Sequence, residues 1–139
     1  MNNCRANSLV HLIVLNSEEY NYFSRSKIIL LSFLIDLKAM QKLEHSISQR
    51  PYYRTIDSVY SEGINQAINW LTSWEIEDIG ERFMPGTKPR FSPLFVITPE
   101  ENDIIIDTLL EYGNMEINTK ILNMKRVKHT NELEMVNLT

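Results

Sequence analysis

The sequence predicts an α+β domain, a winged helix-turn-helix with an additional N-terminal helix, over residues 1–116, followed by a basic C-terminal tail over 117–139. Three observations lead there. The stretch SEGINQAINWL carries Ile64, Ala67, Ile68 and Leu71 at the spacing of a helix with one buried face, and Trp70 and Trp74 sit on its flank. Directly after it, WEIEDIGERF alternates bulky and charged residues as a half-buried strand does, MPGTKP supplies loop residues, and RFSPLFVIT reads as a second strand. Then TPEE opens a further helix, giving the order helix, strand, loop, strand, helix.

The elements follow in chain order. SLVHLIVL, Ser8 to Leu15, is an apolar run short enough to be a helix or a buried strand, with helix favoured. In SRSKIILLSFLIDLKAMQKLEHSI, Ile28, Leu31, Ile35 and Leu43 recur at helical spacing, and Leu30, Phe33, Leu34 and Leu37 widen the stripe almost all the way round. Such a helix is wrapped by neighbours on most sides. Ser24 or Ser26 can cap its start, and Gln49-Arg50-Pro51 ends the segment, because the residue before proline is pushed away from helical angles. Ser61 caps the next helix without a capping box, since Ile64 stands three residues on, and that helix is expected to last to about Ser73. Thr98 as cap, Pro99 in the first position and Glu100 and Glu101 in the first turn start the last long helix. Ile104, Ile105, Thr108, Leu109 and Tyr112 give it a buried face, and Gly113-Asn114 closes it. The tail carries Ile117, Ile121, Leu122 and Met124 among Lys120, Lys125, Arg126 and Lys128, the pattern of a helix or of a mobile arm.

Composition sets the outer limits. With 139 residues, 43% of them hydrophobic, the chain has enough material for one domain with a core of its own. Cys4 is the single cysteine, so no internal disulfide is expected, and the start has no cleavable signal pattern; both point to a reducing cytoplasm. The longest apolar run, IILLSFLI, would cover ~12 Å as a helix against a bilayer core of ~30 Å, so it reads as core and no membrane contact is expected.

No reaction is spelled out. His11, His45 and His129 are scattered with no ligand spacing, so neither a metal nor a cofactor is expected. Glu75, Glu77, Asp78 and Glu81 lie close together, but on an alternating strand they line a wet face. Serine is read as standing in no GxSxG or Ser-x-x-Lys context, and the four glycines are isolated, so no phosphate loop is expected. The expectation is a protein without catalytic residues.

Charge distribution then decides what the winged architecture would be for. Met1 to Tyr60 has a net charge of +2 and Ile117 to Thr139 also +2, whereas Ser61 to Glu116, the reading helix, wing and closing helix, sets three cations against eleven acids, a net of −8. Affinity for DNA comes mainly from Lys and Arg neutralising phosphates. This helix offers Glu62, Asn65, Gln66, Asn69 and Thr72, and the wing only Arg82, Lys88 and Arg90, so phosphate meets a repulsive field. Nucleic acid is better placed at the tail, where Lys120, Lys125, Arg126 and Lys128, with His129, would grip phosphates or an acidic partner if exposed; the alternative is a solvated helix face. Trp70, Trp74, Phe83, Met84 and Phe91, with Phe95, gather bulky groups around the wing and are the candidate anchors for a protein partner, unless they plug the space between wing and core. An exposed wing strand also offers an edge to a second copy of the chain or to a larger subunit, with Pro93 limiting promiscuous pairing.

The order of an apolar helix with a basic start, KIILLSFL at Lys27 to Leu34, then SVYS at Ser58 to Ser61, a helix ending in L-x-x-W, and ITPEE before the last helix resembles the winged-helix proteins of the Panacea or SocA-like antitoxin kind over Ser24 to Tyr112. The glycine and proline of that family's turn are missing here. ANSLVHLIVL before a leucine-rich helix is similar to the small middle components of bacterial three-component ATPase (Lamassu-like) defence systems. Both resemblances imply a small accessory protein, and neither transfers a functional residue. The expected role is a non-catalytic adaptor subunit bound to a larger ATPase or nuclease in an anti-phage assembly, touching nucleic acid only indirectly or through the tail; the competing role is a DNA-binding regulator or antitoxin.

Overall fold

The computed structural model describes residues 3–139 and shows a mixed α+β chain in which helices dominate. The long helices are α1 (Cys4–Leu15), α2 (Arg25–Leu43), α3 (Glu62–Leu71) and α4 (Pro99–Tyr112). Between them lie two antiparallel ribbons, β1 (Tyr53–Arg54) with β2 (Val59–Tyr60), and β3 (Ile76–Asp78) with β4 (Phe83–Pro85). Two short helices, α5 (Asn118–Leu122) and α6 (Lys125–Lys128), follow.

Helix α2 is the axis of the molecule. Eleven of its nineteen residues are buried, including the polar Ser32 and Asp36, and it packs on α4 and α3 while α1 lies across α3. Its start follows capping chemistry, with Ser24 Oγ accepting from the Lys27 amide at 3.2 Å. Its end comes earlier than the Gln49-Arg50-Pro51 signal suggests, at Leu43, where Glu44 takes a left-handed φ of 65°. The reason is Asp36. Its carboxylate accepts from the Ile47 amide at 2.8 Å, the Ser48 amide at 3.0 Å, the Ser48 hydroxyl and the Tyr52 hydroxyl at 2.7 Å. The chain folds back to deliver those four donors, sinking Ile47 and Tyr52 into the core, where the Tyr52 ring meets Phe33 edge-on.

Ser61 Oγ caps α3 through the Ile64 amide, and α3 buries the predicted stripe of Ile64, Ala67, Ile68 and Leu71. It stops two residues before Ser73, where the Thr72 hydroxyl turns back to the Ile68 carbonyl and Ser73 adopts a φ of 78°. The hairpin that follows is tighter than the sequence predicts. WEIEDIGERF does not make one strand; it makes β3, a turn and the start of β4. Gly80, at φ +113°, supplies the turn, and the Asp78 carboxylate takes its amide at 2.9 Å. RFSPLFVIT is therefore not a strand: it runs as an irregular segment with a 3-10 turn at Pro93–Phe95, because β3 already has its partner and Pro93 is buried against α1.

Helix α4 begins with a full capping box, Thr98 and Glu101 exchanging backbone and side-chain hydrogen bonds. After it the chain does not float off as an arm. Ile117, Ile121, Val127 and Val136 are buried, and residues 133–136 pair with β1 through Leu133 N to Arg54 O, Arg54 N to Glu134 O and Val136 N to Tyr52 O, at 2.8 to 2.9 Å.

Asp36→Ala would strand four donors in the interior. Because one buried orphan donor costs about 1–3 kcal/mol, the variant is expected to lose at least ~3 kcal/mol, read as a lower urea midpoint at an unchanged slope. A midpoint within ~0.5 kcal/mol of the parent would show that the loop closes without this acceptor.

Candidate functional site

A groove of about 530 Å³ runs between α1, α3 and the segment after the hairpin. Helix α1 turns Cys4, Asn7, Ser8 and His11 towards it, residues three and four apart that share one helical face. Gln66, Trp70 and Leu71 of α3 form the facing wall, Glu75 lies beyond them, and Phe91, Pro93 and Phe95 close the rim.

Two arginine clamps hold this rim in place. Arg90 donates to the buried Glu75 carboxylate through Nη2 at 2.8 Å, through Nε at 3.2 Å and through its own backbone amide, and Nη2 also reaches the Trp70 carbonyl at 2.9 Å. Its guanidinium stands 4.1 Å from the Trp70 ring centroid and 5.3 Å from that of Trp74, a stacking arrangement that a guanidinium favours. The Trp70 and Phe91 rings are themselves stacked, with centroids 5.6 Å apart. From the other side, Arg5 on α1 donates to the Ile47 and Val96 carbonyls, each at 2.7 Å, and pairs with the buried Glu101. Gly86 is where the clamped segment passes the end of α3: a Cβ there would meet the Trp74 carbonyl oxygen at 2.0 Å.

The electrostatics are closed. Burial pushes the Glu75 carboxyl up, but the hydrogen bonds and charge of Arg90 outweigh it and hold the group below the usual carboxylate range. Glu101 behaves alike: desolvation raises it, while the Thr98 amide, His45 (2.9 Å) and Arg5 bring it below that range. His11 is moved down by burial, with Glu75 opposing, which keeps the ring neutral at pH 7. The groove therefore presents aromatic and neutral polar groups. Asn7 Oδ1 is buried there with no hydrogen-bond partner among the described residues.

Of the expected partner anchors, Trp70 and Trp74 are nearly half exposed and Phe91 more than half, and all three meet at Arg90. Phe95, 90% exposed, stands beside them. Met84 is half-buried on β4. Phe83 is a correction: it is 3% exposed, its amide bonds to the Phe23 carbonyl, and the Arg25 guanidinium covers its ring at 5.4 Å, so its ring is not on the surface but plugs the hairpin onto the core. Of the groups that α3 and the hairpin region would offer to DNA, Glu62 accepts from the Tyr60 hydroxyl at 2.7 Å, Asn65 accepts from Arg25 at 2.8 Å, the Thr72 hydroxyl is turned back on α3, Arg82 donates to the Asn21 and Tyr22 carbonyls, and Arg90 belongs to Glu75; Gln66, Asn69 and Lys88 remain exposed.

The tail cations differ in what they touch. Arg126 donates to the Asn137 and Thr139 carbonyls, Lys120 stands 5.6 Å over the Tyr112 ring, and Lys125 and Lys128 are exposed. A second recess holds Ser24, Ser26 and Lys27 beside Tyr60 and Glu116; Ser24 to Lys27 is a Ser-x-x-Lys spacing, which corrects the reading that no serine stands in that context. There Ser24 is the α2 cap, and Lys27 Nζ donates to the Met115 carbonyl, so both groups are tied to holding helix ends. No cluster of three or more metal-ligating side chains, and no helix long and apolar enough to cross a membrane, occurs among the described residues.

Comparison with known proteins returns no match among family models, curated proteins or solved structures.

Glu75 and Glu101 titrate lower in the folded chain than in the unfolded one, so the stability they contribute is complete above the ordinary carboxylate range and is lost as pH falls from that range through the lower values of the folded chain. Denaturation midpoints measured from about pH 7 to about pH 3 are expected to drop through that window, and Glu75→Gln and Glu101→Gln to flatten the drop while lowering stability at neutral pH. Identical profiles for parent and variants would remove both ion pairs from the account.

Proposed function

We propose that this chain is a non-catalytic accessory subunit that works through protein contacts, with the aromatic face around Arg90 as the surface it presents to a larger partner. The observation behind this reading is the convergence of exposed Trp70, Trp74 and Phe91 on an arginine already neutralised by Glu75, with Phe95 and Leu94 exposed alongside. Large aromatic residues and arginine are the groups from which binding hot spots are built, and a contiguous exposed apolar patch marks an interaction site. Helix α3 and the β3–β4 hairpin serve, on this proposal, as a winged-helix platform put to protein recognition. The cations on and around them support this, because Arg82 and Arg90 are spent on internal bonds and the region from Ser61 to Glu116 keeps its net charge of −8. The resemblance to accessory components of bacterial ATPase defence systems suggests an ATPase or nuclease as the partner class.

The test is co-expression of a tagged chain with the products of adjacent genes. The parent is expected to retain one of them through purification, and Trp70→Ala and Phe91→Ala, checked for folding by circular dichroism, to lower the retained amount at least ~10-fold, as loss of a hot-spot residue does. Duplex DNA at low salt is expected to show no gel shift. Binding of duplex that weakens steeply with added salt and is untouched by the two variants would overturn the proposal in favour of a DNA-binding regulator.

A further inference from the structure

The aromatic face carries both halves of a contact. Phe95 stands on its rim with 90% of its surface bare, and the groove of about 530 Å³ between α1 and α3 opens beside it. The ring sits on a rigid mount. Pro93 is buried, Ser92 Oγ accepts from the Leu94 amide at 3.3 Å, and Arg5 takes the Val96 carbonyl at 2.7 Å. A recess of that volume lies inside the range of roughly 300–1,000 Å³ that encloses small organic groups, which a phenyl ring is.

Three observations select the occupant. First, a partner that both filled the groove and covered Phe95 would need a protruding apolar group next to a recess, and a second copy of the chain has that pair already. Second, in a twofold pair the groups near the axis meet their own kind, so a charged face would repel itself. The chain carries a net charge of −4, yet Glu75 is the only charged side chain among the described residues that line the groove, and Arg90 neutralises it. Third, the exposed parts of Phe91, Phe95, Trp70 and Trp74 amount to roughly 350–600 Å² of aromatic surface. Leu94 and the groove walls extend it towards the ~800 Å² that each partner contributes to a stable pair. Resting on the partner-binding role proposed above, we infer that two copies of the chain close this face by a reciprocal exchange about a twofold axis, Phe95 of each entering the groove of the other. The pair and the complex with the larger partner use the same residues and exclude each other, so the partner has to displace the second copy.

Sedimentation equilibrium of the whole chain tests this. A monomer–dimer equilibrium with a dissociation constant at or below ~10 μM is expected for an interface of this size. Phe95→Ser, at a bare position, leaves the fold intact, and because the exchange uses Phe95 twice it should raise the constant at least ~100-fold, ~10-fold for each contact. Ser8→Tyr fills the groove and is expected to do the same; Gln66→Tyr, on the exposed opposite wall, takes its place if circular dichroism shows that Ser8→Tyr does not fold. Mixing Phe95→Ser with the blocking variant restores one of the two contacts, since the intact Phe95 of one chain meets the open groove of the other. The mixed pair should be at least ~10-fold tighter than either variant with itself. A parent that stays monomeric to ~1 mM, a dimer indifferent to Phe95→Ser, or a mixture no tighter than its components would overturn the inference. If the chain is monomeric while an adjacent-gene product still co-purifies through Trp70, the exchange falls and the partner-binding role stands. If the exchange dimer forms and no product is retained, that role falls, and self-association is what the face is for.

Discussion

One buried carboxylate organises this molecule. Asp36 sits near the middle of α2 with no cation beside it among the described residues; two backbone amides and two hydroxyls supply its compensation. A charge taken out of water in that way is tolerated only when its lone pairs are filled, so the chain after α2 has little choice of path. The path it takes carries Tyr52 into the core and sets the position of β1, the strand on which residues 133–136 later pair. Burial raises the Asp36 carboxyl above its ordinary range in spite of the donors, which measures how dry the centre is.

Around that centre, Arg5 and Arg90 perform the same task on two sides of the groove. Each pairs with an acid buried to 1% exposure, and each also takes a backbone carbonyl from the segment or helix it pins. Segment 90–96 has no ladder of its own, so these side chains do for it what a strand partner would have done. A surface built in this way stays rigid while remaining irregular enough to leave a recess. Preorganised aromatic groups lose less on binding than mobile ones, which is what an interface anchor needs.

How far the sequence could be read varies with the range of the interactions involved. Helices α3 and α4 were legible because their signals are local: serine and threonine caps, an acid three residues into α4, and apolar residues at i, i+3, i+4 and i+7. The early end of α2 was not legible, because it depends on an aspartate meeting donors 11 to 16 residues away. The hairpin was misplaced for a related reason. Bulky-charged alternation marks a wet and a dry face, but it does not say where the strand turns, and Gly80 in IEDIGERF was the available cue. Trp70, Trp74 and Phe91 could be picked out as bulky groups near the hairpin, and all three are exposed; Phe83 looks the same in sequence but is buried, with its amide on the Phe23 carbonyl and Arg25 over its ring. The clamp from Arg90 to Glu75 and the groove behind it join residues from four parts of the chain, and no spacing rule predicts such a meeting.

Phe95 is almost fully bare, with Leu94 and Phe91 beside it. Surface of that kind has a consequence for the economy of the cell as well as for recognition. On the proposed role, copies made in excess of the partner would adhere to one another and attract chaperones and proteases, which survey bare apolar surface. Synthesis matched to that of the proposed partner, through a shared transcript or coupled translation, would keep such orphans scarce.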